Sequence, residues 1–267
     1  MQTLDALRML AGMRWGALSI LLIEGALVSC GEHTVPRRLQ SPATYDNLKG
    51  AYSNLFLRSA AVGDNATLTW LLTMARGENR PADEVKKHIN EHDSKGRFPL
   101  YLAAAYGNDE VALTLLDNGA SHDLRGPEGV LPLMAAAAGN ARSSNMSAIV
   151  DMLLFAGADP NAVATAQRFT ALMLAAFVGC PRRVALLLEG GANTMLQDFD
   201  GHTALEYAGA RKAGQRPFFP IPPDEGSIEK GLEPSFVSNQ TAVELLILQR
   251  RQEELDEHLL EIAKREL

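Results

Sequence analysis

The 267-residue sequence predicts an all-α solenoid of stacked helix pairs. Three observations carry this. A unit opening on an apolar residue and running into paired alanines recurs along the chain, as in Leu100-Tyr-Leu-Ala-Ala-Ala-Tyr-Gly-Asn108 and Leu172-Met-Leu-Ala-Ala-Phe-Val-Gly-Cys180. Each such unit leads into a leucine pair and then Gly-Ala, at Leu115-Leu116/Gly119-Ala120 and Leu187-Leu188/Gly191-Ala192. The openings at 100 and 133, and at 172 and 205, lie 33 residues apart, a period that belongs to repeat architectures.

The first 29 residues stand apart from this pattern. Arg8 and Arg14 precede the apolar run Trp15–Ile23, which resumes after Glu24 and Gly25 and ends in Leu27-Val28-Ser29-Cys30. A charged segment, an apolar segment and a small-residue cleavage motif is the build of an export signal. Leu27–Cys30 resembles a bacterial lipobox. That resemblance implies cleavage before Cys30, acylation of Cys30, and attachment to the inner or outer membrane from the periplasm. Met13-Arg14 offers a second start that would shorten the signal. Residues 30–50 carry two prolines among polar residues and read as a tether.

The array is expected over 51–250. A degenerate first unit runs Phe56-Leu-Arg-Ser-Ala-Ala-Val-Gly-Asp64 to Leu71-Leu72. Units then open at Leu100, Leu133, Leu172 and Leu205, about five in all. The alanine pairs let neighbouring helices approach closely. The second-helix leucines supply a shared core. Gly107 and Gly179 stand where a helix ends and a left-handed residue is needed, as do Gly119, Gly157 and Gly191. Pro99 and Pro132 suit a first helical turn. One unit cannot bury its own face, so only the stack is stable.

These units resemble the ankyrin repeat, with its turn, T-P-L-H-x-A-A-x-x-G, V-x-x-L-L and G-A pattern. The resemblance implies helix–turn–helix units joined by β-turn or hairpin loops. Thr170 and Thr203 match the family's capping threonine, but Phe98 and Leu131 replace it in the middle units, and the family histidine is absent, so capping is expected to be looser.

Spacing excesses locate insertions. One lies between Leu72 and Leu100, and one around Ala141–Ser147. The longest is a Pro/Phe-rich loop at 211–238 containing Phe218 and Phe219. Its proline density opposes a helix, and loops of this length are often functional. From Asn239 a long C-terminal helix (239–267) is expected to cap the stack. Thr241-Ala-Val-Glu244 has capping-box spacing at its start. Leu245, Leu246, Leu248, Leu255, Leu259 and Ile262 are expected to face the array beneath a polar outer face, rather than form a coiled-coil arm.

Chemistry-bearing motifs are sparse. His88-Ile-Asn-Glu-His92 matches H-x-x-E-H, which could hold zinc with Glu91 activating water. The competing reading is an acidic, solvated segment between repeats, and it is preferred because the surrounding enzyme domain has no room. Asp198-Phe-Asp200-Gly201 begins like a calcium loop but lacks its twelfth-position Glu. Cys180 reads as a passive thiol. Nucleotide-binding and nucleophile-elbow motifs are missing. Neither a cofactor nor a metal is expected.

The resemblance therefore implies a non-catalytic protein-binding module. Carried over position by position, the family's contact residues fall at Lys95, Arg97, Tyr106, Glu128, Arg168, Phe177, Val178, Asp200 and His202, with Phe218 and Phe219 added by the unusual loop. The net charge of −7 argues against nucleic acid and favours a protein partner with a basic patch. Together, anchor and array resemble bacterial immunity proteins, which neutralise a secreted toxic enzyme such as a phospholipase. A scaffold that stabilises a periplasmic enzyme is the alternative.

Overall fold

The computed structural model describes residues 49–76, 82–139, 144–210 and 234–266. The chain divides into two compact units, Met1–Tyr52 and Ser53–Leu267. Of the first, only the opening of helix α1 is described. Cys30, the tether as far as residue 48, and most of the 211–238 loop, with Phe218 and Phe219, lie outside the described residues, while the last two residues assigned to the tether open α1 instead.

The helices of the repeat unit are α1 (Lys49–Val62, entering from the first unit), α2 (Asn65–Arg76), α3 (Ala82–Ile89), α4 (Pro99–Tyr106), α5 (Asp109–Asp117), α6 (Pro132–Ala138), α7 (Ser144–Phe155), α8 (Ala171–Val178), α9 (Pro181–Glu189), α10 (Ala204–Ala210) and α11 (Pro234–Glu266). They form two rows. Helices α4, α6, α8 and α10 pack side by side in one; α2, α5, α7, α9 and α11 succeed one another in the other. Within each repeat the two rows meet, α4 on α5, α6 on α7, α8 on α9 and α10 on α11. This is the all-α repeat stack that the sequence predicts, with no strand among the described residues.

The alanine pairs explain the first row. Ala103, Ala104, Ala136, Ala137, Ala175 and Ala176 are all 0% exposed, so a larger side chain has nowhere to go. In α8, Ala171 through Ala176 are all buried. A helix apolar on every side must be enclosed, and here helices lie on both flanks and behind. Leu115, Leu153 and Leu187 fill the second row at 0% exposure, each worth about 2 kcal/mol of transfer free energy.

Helix ends follow the residues available. Gly107 (φ 79°) and Gly179 (φ 75°) close α4 and α8 in the left-handed region. Thr170 accepts the Met173 N–H at 3.2 Å and caps α8. Phe98 and Leu131 occupy the equivalent positions of α4 and α6 and make no side-chain cap. Their missing cap is offset in part by Pro99 and Pro132, which have no N–H to satisfy.

Carbonyls at the ends of α1 and α6 are claimed by the repeat that follows each. The Asn108 amide donates to the carbonyls of Ala60 and Ala61 at 2.7 and 3.0 Å. One repeat pair further on, Cys180 stands where Asn108 would, and a thiol cannot make these bonds. Arg183 does so instead. Its Nη1 donates to Ala136, Ala137 and Gly139 at 3.0, 2.7 and 2.9 Å. Arg183 is itself 0% exposed.

Three expectations need correction. The insertion before Leu100 is not a solvated segment, because it forms α3, packed on α2, with Val85, His88 and Ile89 buried. Helix α11 begins at Pro234, five residues early, so Thr241 lies inside it and opens no capping box. Proline is tolerated there because a first helical residue needs no N–H partner. Helix α11 does pack on α9 and α10, but through Val243 and Ile247, both 0% exposed. Leu245, Leu248, Leu255 and Leu259 point to solvent instead.

Candidate binding surface

Four turns precede the first-row helices, and each is closed by a backbone bond. Asp93 N–H donates to Arg97 O at 2.8 Å, Gly126 to Val130 at 2.8 Å, Ala164 to Phe169 at 2.9 Å and Asp198 to His202 at 3.1 Å. Aspartate organises the first and last. Asp93 Oδ1 accepts the N–H groups of Lys95 and Arg97 at 2.8 Å each, while Oδ2 takes the Arg97 guanidinium at 2.7 Å. Asp198 Oδ1 accepts from Asp200 and His202 at 2.9 and 2.8 Å, and Oδ2 accepts the Tyr207 hydroxyl.

Protonation follows from these bonds. Burial pushes both carboxyls up. Bonds from Arg97 and Lys95 outweigh it at Asp93, and those from Tyr207, His202 and Asp200 outweigh it at Asp198, so both sit below the usual carboxylate range. Burial, with the bond to Asp198, pushes the Tyr207 phenol up.

The turns are sewn to one another. Arg125 Nη1 donates to Gly129 O and Val163 O at 3.1 and 2.8 Å, and its own carbonyl lies 3.2 Å from His92 Nε2. Thr165 Oγ1 donates to Glu128 O at 2.9 Å. Phe199 N–H donates to Gln167 O at 3.4 Å. Below them, Asn161 accepts from Asn193 N–H at 2.7 Å and donates to Gly191 O at 3.0 Å. The row is therefore a pre-ordered edge rather than four separate loops.

One position breaks the pattern. Two residues before each helix cap, the backbone is left-handed, and three turns place glycine there: Gly96 (φ 74°), Gly129 (φ 77°) and Gly201 (φ 83°). The third turn places Arg168 there, at φ 59°. For a residue with a Cβ this conformation costs about 1 kcal/mol. The Arg168 guanidinium carbon sits 5.9 Å from the centroid of the Phe199 ring, within cation–π range. Arg168 is exposed, and Phe199 is 63% exposed. Glu128 is also left-handed, at φ 56°.

Of the residues picked out from the sequence, Lys95, Tyr106, Glu128, Arg168, Asp200 and His202 are exposed, and Arg97 and Phe177 are half-buried. Val178 is buried and offers no side chain to a partner, because it sits on the inner side of the last turn of α8. Sequence reasoning missed Phe199 and Arg125. The signal for Phe199 was an aromatic ring where the other turns carry Ser94, Pro127 and Ala166.

The zinc pattern does not assemble. Helix α3 ends at Ile89, so Glu91 and His92 lie beyond it, and His88 is buried while His92 is turned to the Arg125 carbonyl. Among the described residues, three ligating groups converge only at Asp198, Asp200 and His202. There the Asp198 oxygens are already used by the turn and by Tyr207. Burial pushes the Cys180 thiol up, but the charge and hydrogen bonds of Arg183, with Ser147, bring it below its ordinary value.

Helix pairs in two rows, joined by hydrogen-bonded turns, define a repeat protein built for recognition. The family model for ankyrin repeats (3 copies) matches residues 56–162 and 133–216, more than half of the chain. The chain belongs to the ankyrin-repeat family. It is 39% identical over 113 residues to ankyrin repeat and SOCS box protein 16 of Mus musculus, covering 41% of this chain and 25% of that one. It is 38% identical over 117 residues to an ankyrin repeat-containing protein of Treponema pallidum (strain Nichols), covering 43% and 37%. It is 33% identical over 128 residues to the nuclear factor NF-kappa-B p105 subunit of Gallus gallus, covering 46% and 12%. The chain thus spans little more than a third, at most, of these relatives' lengths. Repeats of this family are protein–protein interaction modules.

Proposed function

We propose that this protein is a non-catalytic binding module, held to the bacterial envelope through Cys30, that captures and neutralises a secreted toxic enzyme. The observation that carries the binding reading is Arg168. A strained, exposed cation over an exposed ring is retained where three sister turns use glycine. Strain of this kind persists where function selects the side chain. Arg and aromatic residues are also the types that anchor interfaces.

The envelope reading rests on the leader and its Leu27–Cys30 motif, and it assigns the protein to the periplasm. The net charge of −7 supports a partner with a basic patch. The turn row itself offers the exposed Lys95 and Arg168 to acidic groups within that partner.

Affinity capture with the full chain as bait, from cells whose secretion systems are active, tests this. The expected result is one stoichiometric partner with hydrolase activity that is lost on mixing. The variant pair Arg168→Ala/Phe199→Ala is expected to weaken that capture at least tenfold, about 1.4 kcal/mol. Recovery of resident envelope proteins alone, with no activity inhibited, would overturn the toxin reading in favour of a periplasmic scaffold.

A further inference from the structure

After α5, α7 and α9 the chain turns in the same way. A left-handed glycine follows each helix, Gly119 (φ 87°), Gly157 (φ 93°) and Gly191 (φ 86°). The next alanine, Ala120, Ala158 or Ala192, donates back to Leu115, Leu153 or Leu187 at 2.9, 3.0 and 2.9 Å. The glycine carbonyl and the N–H two residues on are therefore presented alike at three seams between repeats. At the first seam the Asn90 carboxamide takes both groups. It donates to Gly119 O at 3.3 Å and accepts the Ser121 N–H at 2.9 Å. At the third seam Asn161 treats Gly191 O and the Asn193 N–H in the same way, at 3.0 and 2.7 Å. The middle seam differs. Asp123 stands eight residues before Leu131, as Asn90 stands eight before Phe98. A carboxylate has no hydrogen for Gly157 O. The Asp123 side chain is 74% exposed and lies 2.7 Å from His122 Nδ1 instead. Among the described residues nothing bonds Gly157 O or the Asp159 N–H. A cavity of about 220 Å³ stands at this seam, lined by Asp123 and Asp159, by His122 and Arg125, and by the apolar Leu131 and Leu133. It is several times larger than the ~30 Å³ of one water.

We infer that this cleft takes a primary carboxamide, the side chain of an asparagine or glutamine on a bound protein. The sister seams show the group that fits. In both, a carboxamide fills the corresponding place, and its donor and acceptor meet the same pair of backbone groups. Other chemistries satisfy half of the pair. A ligand carboxylate has nothing to give Gly157 O and would bring a third negative charge beside Asp123 and Asp159. An ammonium or guanidinium cannot accept the Asp159 N–H. A backbone amide holds its N–H and C=O on opposite sides of a trans bond, so it cannot meet both groups from one side. Arg125 lines the cleft and also bonds Gly129 O and Val163 O in the turns, so the cleft adjoins the turn row. The contact presupposes the binding reading above, whereas its test needs no captured partner, so the two fail separately.

Titration of the isotope-labelled full chain with N-acetyl-L-glutamine methylamide, followed by NMR at the Asp159 backbone amide, tests this. A saturable shift is expected, with half-saturation near ~10 mM for so small a probe. N-acetyl-L-glutamate methylamide has the same shape with a carboxylate, and is expected to bind about tenfold more weakly or worse. Asp123→Asn supplies the missing carboxamide from within the chain. In that variant the urea midpoint is expected to rise, the Asp159 N–H to exchange with solvent about tenfold more slowly, and the glutamine probe to lose its effect. Asp123→Ala removes the same charge but leaves the place open, so the response to the probe is expected to persist. Absence of a shift up to ~200 mM probe overturns the proposal. So does equal binding of the glutamate analogue, a full response surviving in Asp123→Asn, or a response lost in Asp123→Ala.

Discussion

Arg183 donates to the Ala137 carbonyl at 2.7 Å from a side chain with no exposed surface. This bond and its two neighbours tie α9 to the end of the preceding repeat's first helix. Removing the side chain takes this donor from the Ala137 and Gly139 carbonyls, each unmet acceptor costing about 1 kcal/mol or more, whereas the Ala136 carbonyl keeps the Gly139 N–H at 3.4 Å. Arg183→Ala is expected to lower unfolding free energy by about 3 kcal/mol, read as a reduced urea midpoint. Asn108 performs the same task elsewhere, so Cys180→Asn in the Arg183→Ala background should recover about 1 kcal/mol. If Arg183→Ala unfolds at the wild-type midpoint, the tie contributes nothing.

Arg168 makes the opposite prediction for stability. Glycine adopts φ 59° freely, and the sister turns already use it. Arg168→Gly is expected to stabilise the array by about 0.5 kcal/mol net, the relief of strain less the lost contact with Phe199. It should also weaken partner capture. A variant that is both less stable and equally able to bind would show that the left-handed arginine is neither strained nor selected for recognition.

The acid limb of stability depends on Asp93 and Asp198. Their folded values lie below the ordinary carboxylate range. The unfolded chain therefore binds more protons in that window, and stability rises with pH. Their contribution is complete above the unfolded value near 4 and is lost as pH falls through the lower folded value. Asp93→Asn and Asp198→Asn should each flatten the dependence of Tm on pH on the acid side of the ordinary carboxylate value of about 4. An unchanged slope in both variants would place the acid sensitivity in other carboxylates.

Much of the stack was legible because its determinants are local and repeated. Ala136-Ala137 and Ala175-Ala176 announce close helix contact by size alone, and Gly107 and Gly179 announce left-handed ends. Periodicity shows that a helix has an apolar face but not which neighbour that face meets. For α11 the array contact runs through Val243, Ile247 and Arg251, whose Nη2 donates to Thr194 O and Thr203 Oγ1, rather than through four of the leucines. The helix α3 was hidden for a related reason. Its buried set, Val85, His88 and Ile89, is short and interleaved with lysines. Arg168 was found as a turn residue, but its backbone strain follows from the turn's register against Gly96, Gly129 and Gly201, which motif matching does not see.

That register also sets a contrast between two of the glycines. Both Gly129 (φ 77°) and Gly201 (φ 83°) are left-handed, so a Cβ costs about 1 kcal/mol at either. Their surroundings differ. A Cβ on Gly129 would fall 2.1 Å from Thr165 Oγ1 and 2.8 Å from its Cβ, whereas one on Gly201 meets nothing within 4 Å. Thr165 is held there by its bond to the Glu128 carbonyl, so moving it also breaks a link between turns. Gly201→Ala is therefore expected to lose about 1 kcal/mol and Gly129→Ala about 2–3 kcal/mol, measured by urea unfolding. Thr165→Ala in the Gly129→Ala background should narrow that difference, because it removes the colliding hydroxyl. Equal losses at the two glycines would mean that the turns yield independently and that the row is not a single ordered edge.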